Sequence, residues 1–391
     1  MAGLIVKPRS RIFHGHDWVY SSEVLKVWGE PKNGDVISVK DGKDRLLGSA
    51  IYNAKSQIIA RRISRQRQEL DLDFFQRRIA QSITYRQRRG CDPRLSRLVW
   101  SESDGLPGII VDRYGDYLVL QTLTLAMDDR REEIASVLQE QLNPAGIVER
   151  NDAPIRIAEG LELRTGMLRG EPPVPFPIHA AGLEFEVDLL HGQKTGFYLD
   201  QIASYPLVAR YATGRRVLDC FANQGAFALA CAKAGAKSAC AVEISADACA
   251  QIRGNAKRNG LDIEVAEKNA FDFLKLADNA NDGPRFDMII LDPPSFTKSR
   301  GKLDDALRGY KEIHLRALKL LAPDGLLATF CCSHHVSREH LLGAINEAAV
   351  DARKTLRQLE TFSQAPDHPI ITTMPETEYL KGFLFELAPG R

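Results

Sequence analysis

Arg216-Val217-Leu218-Asp219-Cys220-Phe221-Ala222-Asn223-Gln224-Gly225-Ala226 decides the fold of this 391-residue chain. Residues 216–221 read as a buried strand, 222–225 as a short loop, and Ala226 onward as a helix. A glycine in that loop lets the backbone approach a ligand just where a helix N-terminus offers unpaired N–H groups. A dinucleotide-binding loop would offer three spaced glycines. This one offers only Gly225, which counts against NAD.

Outward from this unit, strand-like and helical runs alternate from about residue 183: 216–221, 226–235, 239–244, 246–259, 263–267, 286–292, 303–321, 326–332 and 338–353. Such alternation predicts a parallel, doubly wound α/β sheet with helices on both faces. The last two strands, near 357–362 and 379–387, have no helix between them and predict an antiparallel hairpin at the sheet edge. The expected fold is the Rossmann-like sheet of class I methyltransferases. In such sheets an acid at the first strand end followed by one key glycine suits S-adenosylmethionine (SAM), with Asp219 toward the cationic methionine end. Glu243 ends the second strand, where a carboxylate accepts both ribose hydroxyls. The third strand leads into Asn269 and Ala270, with Asn269 toward the adenine edge. Strand-terminal acids and glycines occur in every α/β protein, so the order of these residues in successive βα units carries the inference. The expected cofactor shell is Asp219, Phe221, Asn223, Gly225, Glu243, Asn269, Ala270 and Asp292.

The front of the chain is built differently. Residues 1–72 read as short strands and turns, with Asn33-Gly34-Asp35 turning into Val36–Val39. Residues 73–185 read as a mixed α+β insert. Its helix over 73–90 carries Phe74, Phe75, Ile79, Ile83 and Tyr85 on one side. Strands follow at 98–100, 108–112, 117–121 and 146–149, with a helix at 129–141. Gly170-Glu171-Pro172-Pro173-Val174-Pro175-Phe176-Pro177 reads as a stiff connector. Three domains are therefore expected: 1–72, 73–185 and 186–391. Net charge is +1, from 52 Lys+Arg against 51 Asp+Glu, so only the distribution of charge can speak for nucleic acid. Met1–Arg11 has no apolar run of signal-peptide length, and no stretch is long enough to span a bilayer. Seven cysteines lie mostly in apolar segments without a Cys-x-x-Cys pair. A cytoplasmic protein with reduced thiols and no metal is expected.

Two strand ends carry the chemistry. Leu291-Asp292-Pro293-Pro294-Ser295-Phe296 stops a strand with two prolines at the carboxyl end, where ligands sit in open α/β sheets. Such a turn presents Asp292 and nearby carbonyls to the edge of a planar base. Asp-Pro-Pro alone suits transfer to an exocyclic amine as well as to carbon. Thr329-Phe330-Cys331-Cys332-Ser333-His334-His335 adds a thiol at another strand's carboxyl end. Cytosine C5 is a poor nucleophile, and thiolate addition at C6 makes it enamine-like. Strand alternation sends Cys331 and Cys332 to opposite faces. Cys332 is preferred as nucleophile because it is nearer the strand end. His334 or His335 is a candidate for the positive charge that a thiolate needs. Cys220, Cys231, Cys240 and Cys249 read as core residues.

These residues together resemble the RlmI family of 23S ribosomal RNA cytosine-C5 methyltransferases, over nearly the whole chain. The matching stretches are 193–201, 217–227, Asp292-Pro293-Pro294, Arg308-Gly309-Tyr310-Lys311, Cys332-Ser333, Ala365–Pro369 and Tyr379–Phe383. The resemblance implies a PUA RNA-binding domain, a central insert and a SAM-binding domain, with Cys332 as nucleophile and Asp292 on the base. It also implies that Lys194, Tyr198 and Gln201 border the substrate pocket with Pro293, Pro294 and Phe296. This chain departs from the family pattern at Gln193 (histidine), Ile202 (arginine) and 331–334 (Ser-Cys-Ser-Gly). The implied partner is 23S rRNA, free or in an assembly intermediate, and a homodimer is compatible with the pattern.

Eleven arginines fall between Arg61 and Arg97, against four acids. That excess suits a phosphate-binding face, with Tyr85 and Trp100 to stack on bases and the His14–Val19 segment beside them. A charge run is otherwise a solvated helix face. The target base must be unpaired or flipped out. Two other functions fit the same sequence: an RNA N-methyltransferase using Asp-Pro-Pro, and a non-enzymatic RNA-binding assembly protein.

Overall fold

The computed structural model describes residues 2–192, 194–279, 286–297 and 300–389, so Gln193 lies outside the described residues. The chain forms two compact units, and neither is one continuous segment. The first comprises Met1–Ile178, Val187–Leu199 and Pro366–Thr377; the second comprises His179–Glu186, Asp200–Ala365 and Glu378–Arg391.

In the first unit a six-stranded sheet runs in the order Trp18–Tyr20, Ile58–Ser64, Leu46–Tyr52, Val36–Lys40, Gly3–Val6, Val24–Trp28. Leu4, Val6, Val19, Ile37, Val39, Ala50 and Ala60 form its core. A five-stranded sheet follows, in the order Arg164–Gly170, Gly146–Asn151, Tyr117–Thr122, Ile109–Tyr114, Leu95–Trp100. The Leu72–Arg88 helix starts where the Asp71 carboxylate accepts the Phe74 amide at 2.8 Å. That contact satisfies one of the N–H groups a helix leaves open. The helix buries Phe74, Phe75 and Ile79 beside Val111, Leu118, Leu120 and Ile147 of the sheet. The connector is shorter than its prolines suggest. Arg164–Gly170 is an edge strand, and Phe176 and Pro177 begin the strand Phe176–Ala180.

The second unit holds a seven-stranded sheet: β1 (Arg216–Cys220), β2 (Ser238–Glu243), β3 (Glu264–Glu267), β4 (Phe286–Leu291), β5 (Leu321–Cys331), β6 (Leu356–Ser363) and β7 (Lys381–Leu387). Its helices are α1 (Ala226–Lys233), α2 (Ala246–Arg258), α3 (Ala270–Asn279), α4 (Leu303–Leu320) and α5 (Arg338–Asp351). The strand order is β3-β2-β1-β4-β5-β7-β6, with β7 antiparallel to both neighbours. Met288 to Leu291 in β4 are wholly buried, as a strand covered on both faces requires. Sequence patterning missed α3. Phe271 and Phe273 alternate like a strand there, while the helix buries Ala270 and Leu274 one turn apart.

Register brings the chemistry together. Cys220 pairs with Val242 of β2 and with Leu291 of β4, and Leu291 pairs with Thr329 of β5. The carboxyl ends of these four parallel strands therefore share one edge of the sheet. The order in which the chain adds strands reverses between β1 and β4, and such a switch point is where open α/β sheets bind ligands.

Candidate active site

The loop after β1 is held in a costly backbone conformation. Phe221, Asn223 and Gly225 have φ of 64°, 50° and 80°. Two of these are not glycine, and such strain persists where the surroundings enforce it, commonly at ligand clamps. A Cβ on Gly225 would come to 3.0 Å from the Ile252 side chain, so α2 packs against the loop at van der Waals limit.

Asp219 is 1% exposed. Its Oδ2 accepts the Ala228 amide at 3.0 Å, in the first turn of α1, and its Oδ1 is buried with no hydrogen-bond partner among the described residues. Burial, then the negative charges of Asp292 and Glu243, push its carboxyl up to about 8. A buried carboxyl with an unanswered oxygen fits a ligand that brings a positive charge, as the ammonium of SAM does. Glu243 is fixed by three backbone donors. Oε2 accepts Asn223 N at 2.9 Å, and Oε1 accepts Ile244 N at 2.8 Å and Ser245 N at 2.9 Å. Oε1 has both lone pairs engaged, and Oε2 keeps capacity for a hydroxyl donor. Ile244, next to it, is 65% exposed and offers an apolar face that sequence reading overlooked. Its signal was a large aliphatic residue just past a strand-terminal acid. Asn269 is exposed and its Oδ1 accepts Phe271 N at 2.9 Å, capping α3, while Ala270 is buried behind it.

At the end of β4, Asp292 is half-buried, Pro293 buried and Pro294 exposed. Gln201, 3% exposed, donates Nε2–H to Asp292 Oδ2 at 2.6 Å. A carboxylate can only accept, so this contact fixes which end of the Gln201 amide faces it. Phe296 packs 4.6 Å from the Tyr310 ring and 5.7 Å from Phe271. It forms a wall rather than a free stacking platform. β5 ends at Cys331, whose thiol is buried 3.1 Å from the Tyr310 hydroxyl. Cys332 lies one residue past the strand and is half-buried. His334 and His335 are exposed. The buried cation beside this turn is Lys381, absent from the sequence-based site: its Nζ donates to the carbonyls of Ser333 and Val336. All seven cysteines are free thiols, and burial pushes those of Cys220, Cys231 and Cys240 up, the last to about 12.

Lys194 and Tyr198 lie in the first unit, the Lys194 ammonium 3.8 Å from the Tyr198 ring centroid. The arginine run divides. Arg61, Arg62, Arg86 and Arg97 are largely buried and paired with Glu102, Asp17, Asp104 and Asp112 at 2.7, 2.7, 2.5 and 2.7 Å. Arg65, Arg67, Arg88 and Arg89 are exposed. Trp100 is half-buried with Arg97 over its ring, and Trp18 donates Nε1–H to Glu102 at 2.8 Å. His16 is buried against Glu376 at 3.0 Å. His16, Trp18 and Trp100 thus make internal contacts, while Trp18 and Trp100 remain half-buried. Among the described residues no cluster of His, Cys, Asp and Glu could hold a metal, and no helix is long and apolar enough to cross a membrane.

A sheet in this order, with one glycine in the first loop and a buried acid suited to a cation, defines a SAM-dependent methyltransferase. The S-adenosylmethionine-dependent methyltransferase family model matches residues 162–386, and a PUA-like domain model matches 5–65. Ribosomal RNA large subunit methyltransferase I of Erwinia tasmaniensis is 39% identical over 386 residues, covering 97% of this chain and 98% of the relative. Its counterpart from Klebsiella pneumoniae (strain 342) is 39% identical over 388 residues, covering 97% and 96%. The chain belongs to the ribosomal RNA large subunit methyltransferase I family. Two solved structures share the fold over 99% of this chain and 100% of theirs. One, assigned as a SAM-dependent methyltransferase from Streptococcus mutans, has TM-score 0.84 at 22% identity. The other, complexed with SAH, has TM-score 0.85 at 21% identity.

Proposed function

We propose that this protein methylates C5 of a cytidine in 23S ribosomal RNA, with Cys332 as the nucleophile. The observation that carries this reading is the position of Cys332. The residue is half-buried just past β5, on the sheet edge that also bears Asp219, Glu243 and Asp292, while Cys331 is sealed in the core. The names of the relatives, which specify large-subunit ribosomal RNA, support the substrate class.

Cys332 Sγ bonds to C6 of the cytosine, and the C5=C6 electron pair moves onto C5. When bound, S-adenosylmethionine supplies an electrophilic methyl group and leaves as S-adenosylhomocysteine. The C5 proton passes to Asp292 or to a water it holds; its electrons re-form C5=C6 and expel the thiolate. Asp292, oriented by the Gln201 amide, accepts from the base edge. Pro293, Pro294 and Phe296 shape the turn around it. Asp219, Phe221, Asn223, Gly225, Glu243, Asn269 and Ala270 hold the cofactor, with Ile244 added. Lys194, exposed and braced by Tyr198, meets phosphate. The reaction belongs in the cytoplasm, where free rRNA or an assembly intermediate presents the base unpaired.

Incubation with SAM and unmodified 23S rRNA, followed by mapping of the new methyl by mass spectrometry, tests the reading. A methyl on C5 of one cytidine is expected; a methyl on an exocyclic nitrogen overturns it. RNA carrying 5-fluorocytidine, which has no C5 proton to lose, should trap a covalent complex with the wild type and none with Cys332→Ala. That variant should lose methylation on the order of a thousandfold while still binding SAM.

A further inference from the structure

Lys381 opens β7 and stands opposite Cys331 in the antiparallel register of β5 and β7. It is 3% exposed. Its Nζ donates to Ser333 O at 2.7 Å and to Val336 O at 2.8 Å. These two carbonyls bracket the turn that leaves β5, so the ammonium ties the segment after Cys332 to the neighbouring strand. Two acceptors use two of its three protons. Glu378, the nearest acid in sequence, pairs with Arg338 at 3.0 Å instead. No carboxylate lies within ion-pair distance of Lys381 among the described residues. A buried ammonium held only by carbonyls is expensive unless a negative charge forms close by.

We propose that Lys381 is a positioning residue for the methyl transfer: it clamps the 332–336 turn and stabilises Cys332 as a thiolate. The proposal rests on the reading of Cys332 as nucleophile. Burial pushes the Lys381 ammonium down, and Cys331, Glu378 and Cys332 pull it back up. Of the two thiols, Cys331 is wholly buried against the Tyr310 hydroxyl, which leaves Cys332 as the one that meets substrate. The other titratable and charged groups around this centre are accounted for. Arg338 on α5 is half-buried and engaged by Glu378 and by the Phe362 carbonyl. Tyr310 on α4 is buried and its hydroxyl is pushed up, first by burial. Asp292 at the end of β4 adds negative charge, and His334 and His335 are exposed. Lys381 is thus the cation built into the protein side of the turn. In the reaction the thiol proton leaves to solvent and the ammonium keeps all three of its own. The negative charge moves to the ring when Sγ bonds to C6 and returns to sulfur on elimination.

The test is the pH dependence of iodoacetamide alkylation at Cys332 in the full-length protein, resolved by peptide mass spectrometry. The wild-type midpoint is expected below about 8.5, the ordinary thiol value. Lys381→Met and Lys381→Gln are expected to raise that midpoint by about one unit or more. Methylation at pH 7 should fall roughly tenfold and recover as the pH is raised, with SAM affinity by calorimetry unchanged. Lys381→Arg, which keeps the charge, is expected to restore the low midpoint. A wild-type midpoint at or above 8.5, or variants that fold and leave it unmoved, overturns the proposal. The first outcome needs no variant to fold. Failure here leaves covalent trapping by Cys332 intact, whereas failure of trapping removes the nucleophile and leaves the measured thiol titration standing.

Discussion

Asp219 shows how much one buried carboxyl can couple binding to protonation. Its ordinary value is 3.8, and burial raises it to about 8 in the folded protein. A raised folded value means that its contribution to stability is complete below 3.8 and lost as the pH climbs through about 8. Near neutrality the free protein therefore holds a proton there. Arrival of a cationic ligand should favour the carboxylate and release that proton. Calorimetry of SAM binding at pH 7, in buffers of different ionisation enthalpy, is expected to show proton release, and Asp219→Asn is expected to abolish it along with tight binding. The same variant should melt higher than the wild type at pH 8 without ligand, by about 2–4 °C for each kcal/mol relieved. A lower melting point would mean that the carboxyl is not strained by burial. Other residue-scale features are legible in the sequence. Asp219, Gly225, Glu243, Asp292 and Cys332 each sit at a strand end or in the loop after one, and such ends are marked by a change from apolar run to turn residues. Lys381 is not legible, because a lysine inside a strand is usually a solvated edge residue, and nothing local reveals that it is buried.

At the scale of elements, α4 and β5 are fastened by His314. Its Nδ1–H donates to Tyr310 O at 2.6 Å, so its Nε2 must accept from Thr329 Oγ1 at 2.8 Å. That arrangement requires a neutral ring, and burial pushes the imidazole down to about 4. The folded value lies below the ordinary 6.5, so in the window between them the unfolded chain takes up a proton that the folded chain refuses. Stability is unaffected above 6.5 and falls as the pH drops toward about 4, by about 3 kcal/mol in total. Denaturant midpoints measured between pH 7 and 4 should show this slope, and His314→Gln should flatten it. An unchanged slope in that variant would assign the acid sensitivity elsewhere. Pattern reading located α4 and β5 closely, because both carry long apolar periodicities. It passed over α3 and the Arg164–Gly170 strand, where packing against a neighbour selects the structure that local pattern leaves ambiguous.

Across the whole molecule, the charge balance of 52 to 51 conceals a sorted distribution. Part of the arginine run is consumed in internal pairs, such as the two bonds from Arg97 to Asp112 at 2.7 and 2.8 Å. Arg86 also donates to Asp367 O at 2.8 Å, and the Arg97 amide donates to the Asp367 carboxylate at 2.8 Å. These bonds draw the 366–377 segment into the first unit, although most of the sequence around it belongs to the second. On the proposed reading, RNA contact from this run falls to its exposed members. Arg88→Ala with Arg89→Ala is expected to weaken RNA binding. It should also reduce the slope of log affinity against log salt by about 0.7 for each phosphate of single-stranded RNA left without its arginine. Thermal stability should be unchanged, since neither residue is buried. An unaltered salt slope would remove this helix end from the RNA surface.

The sequence by itself determined the alternation of strands and helices, the SAM-type loop and the acids and thiol at the strand ends. These are local properties, set by periodicity, glycine and proline over a few residues. Only the tertiary structure decided which strands lie side by side, and so which strand ends share an edge. It also separated the buried arginines from the exposed ones and set Lys381 against the Cys332 turn. Each of those outcomes depends on pairing between residues far apart in the chain, and burial changes the energy of a charge in a way no local pattern can encode.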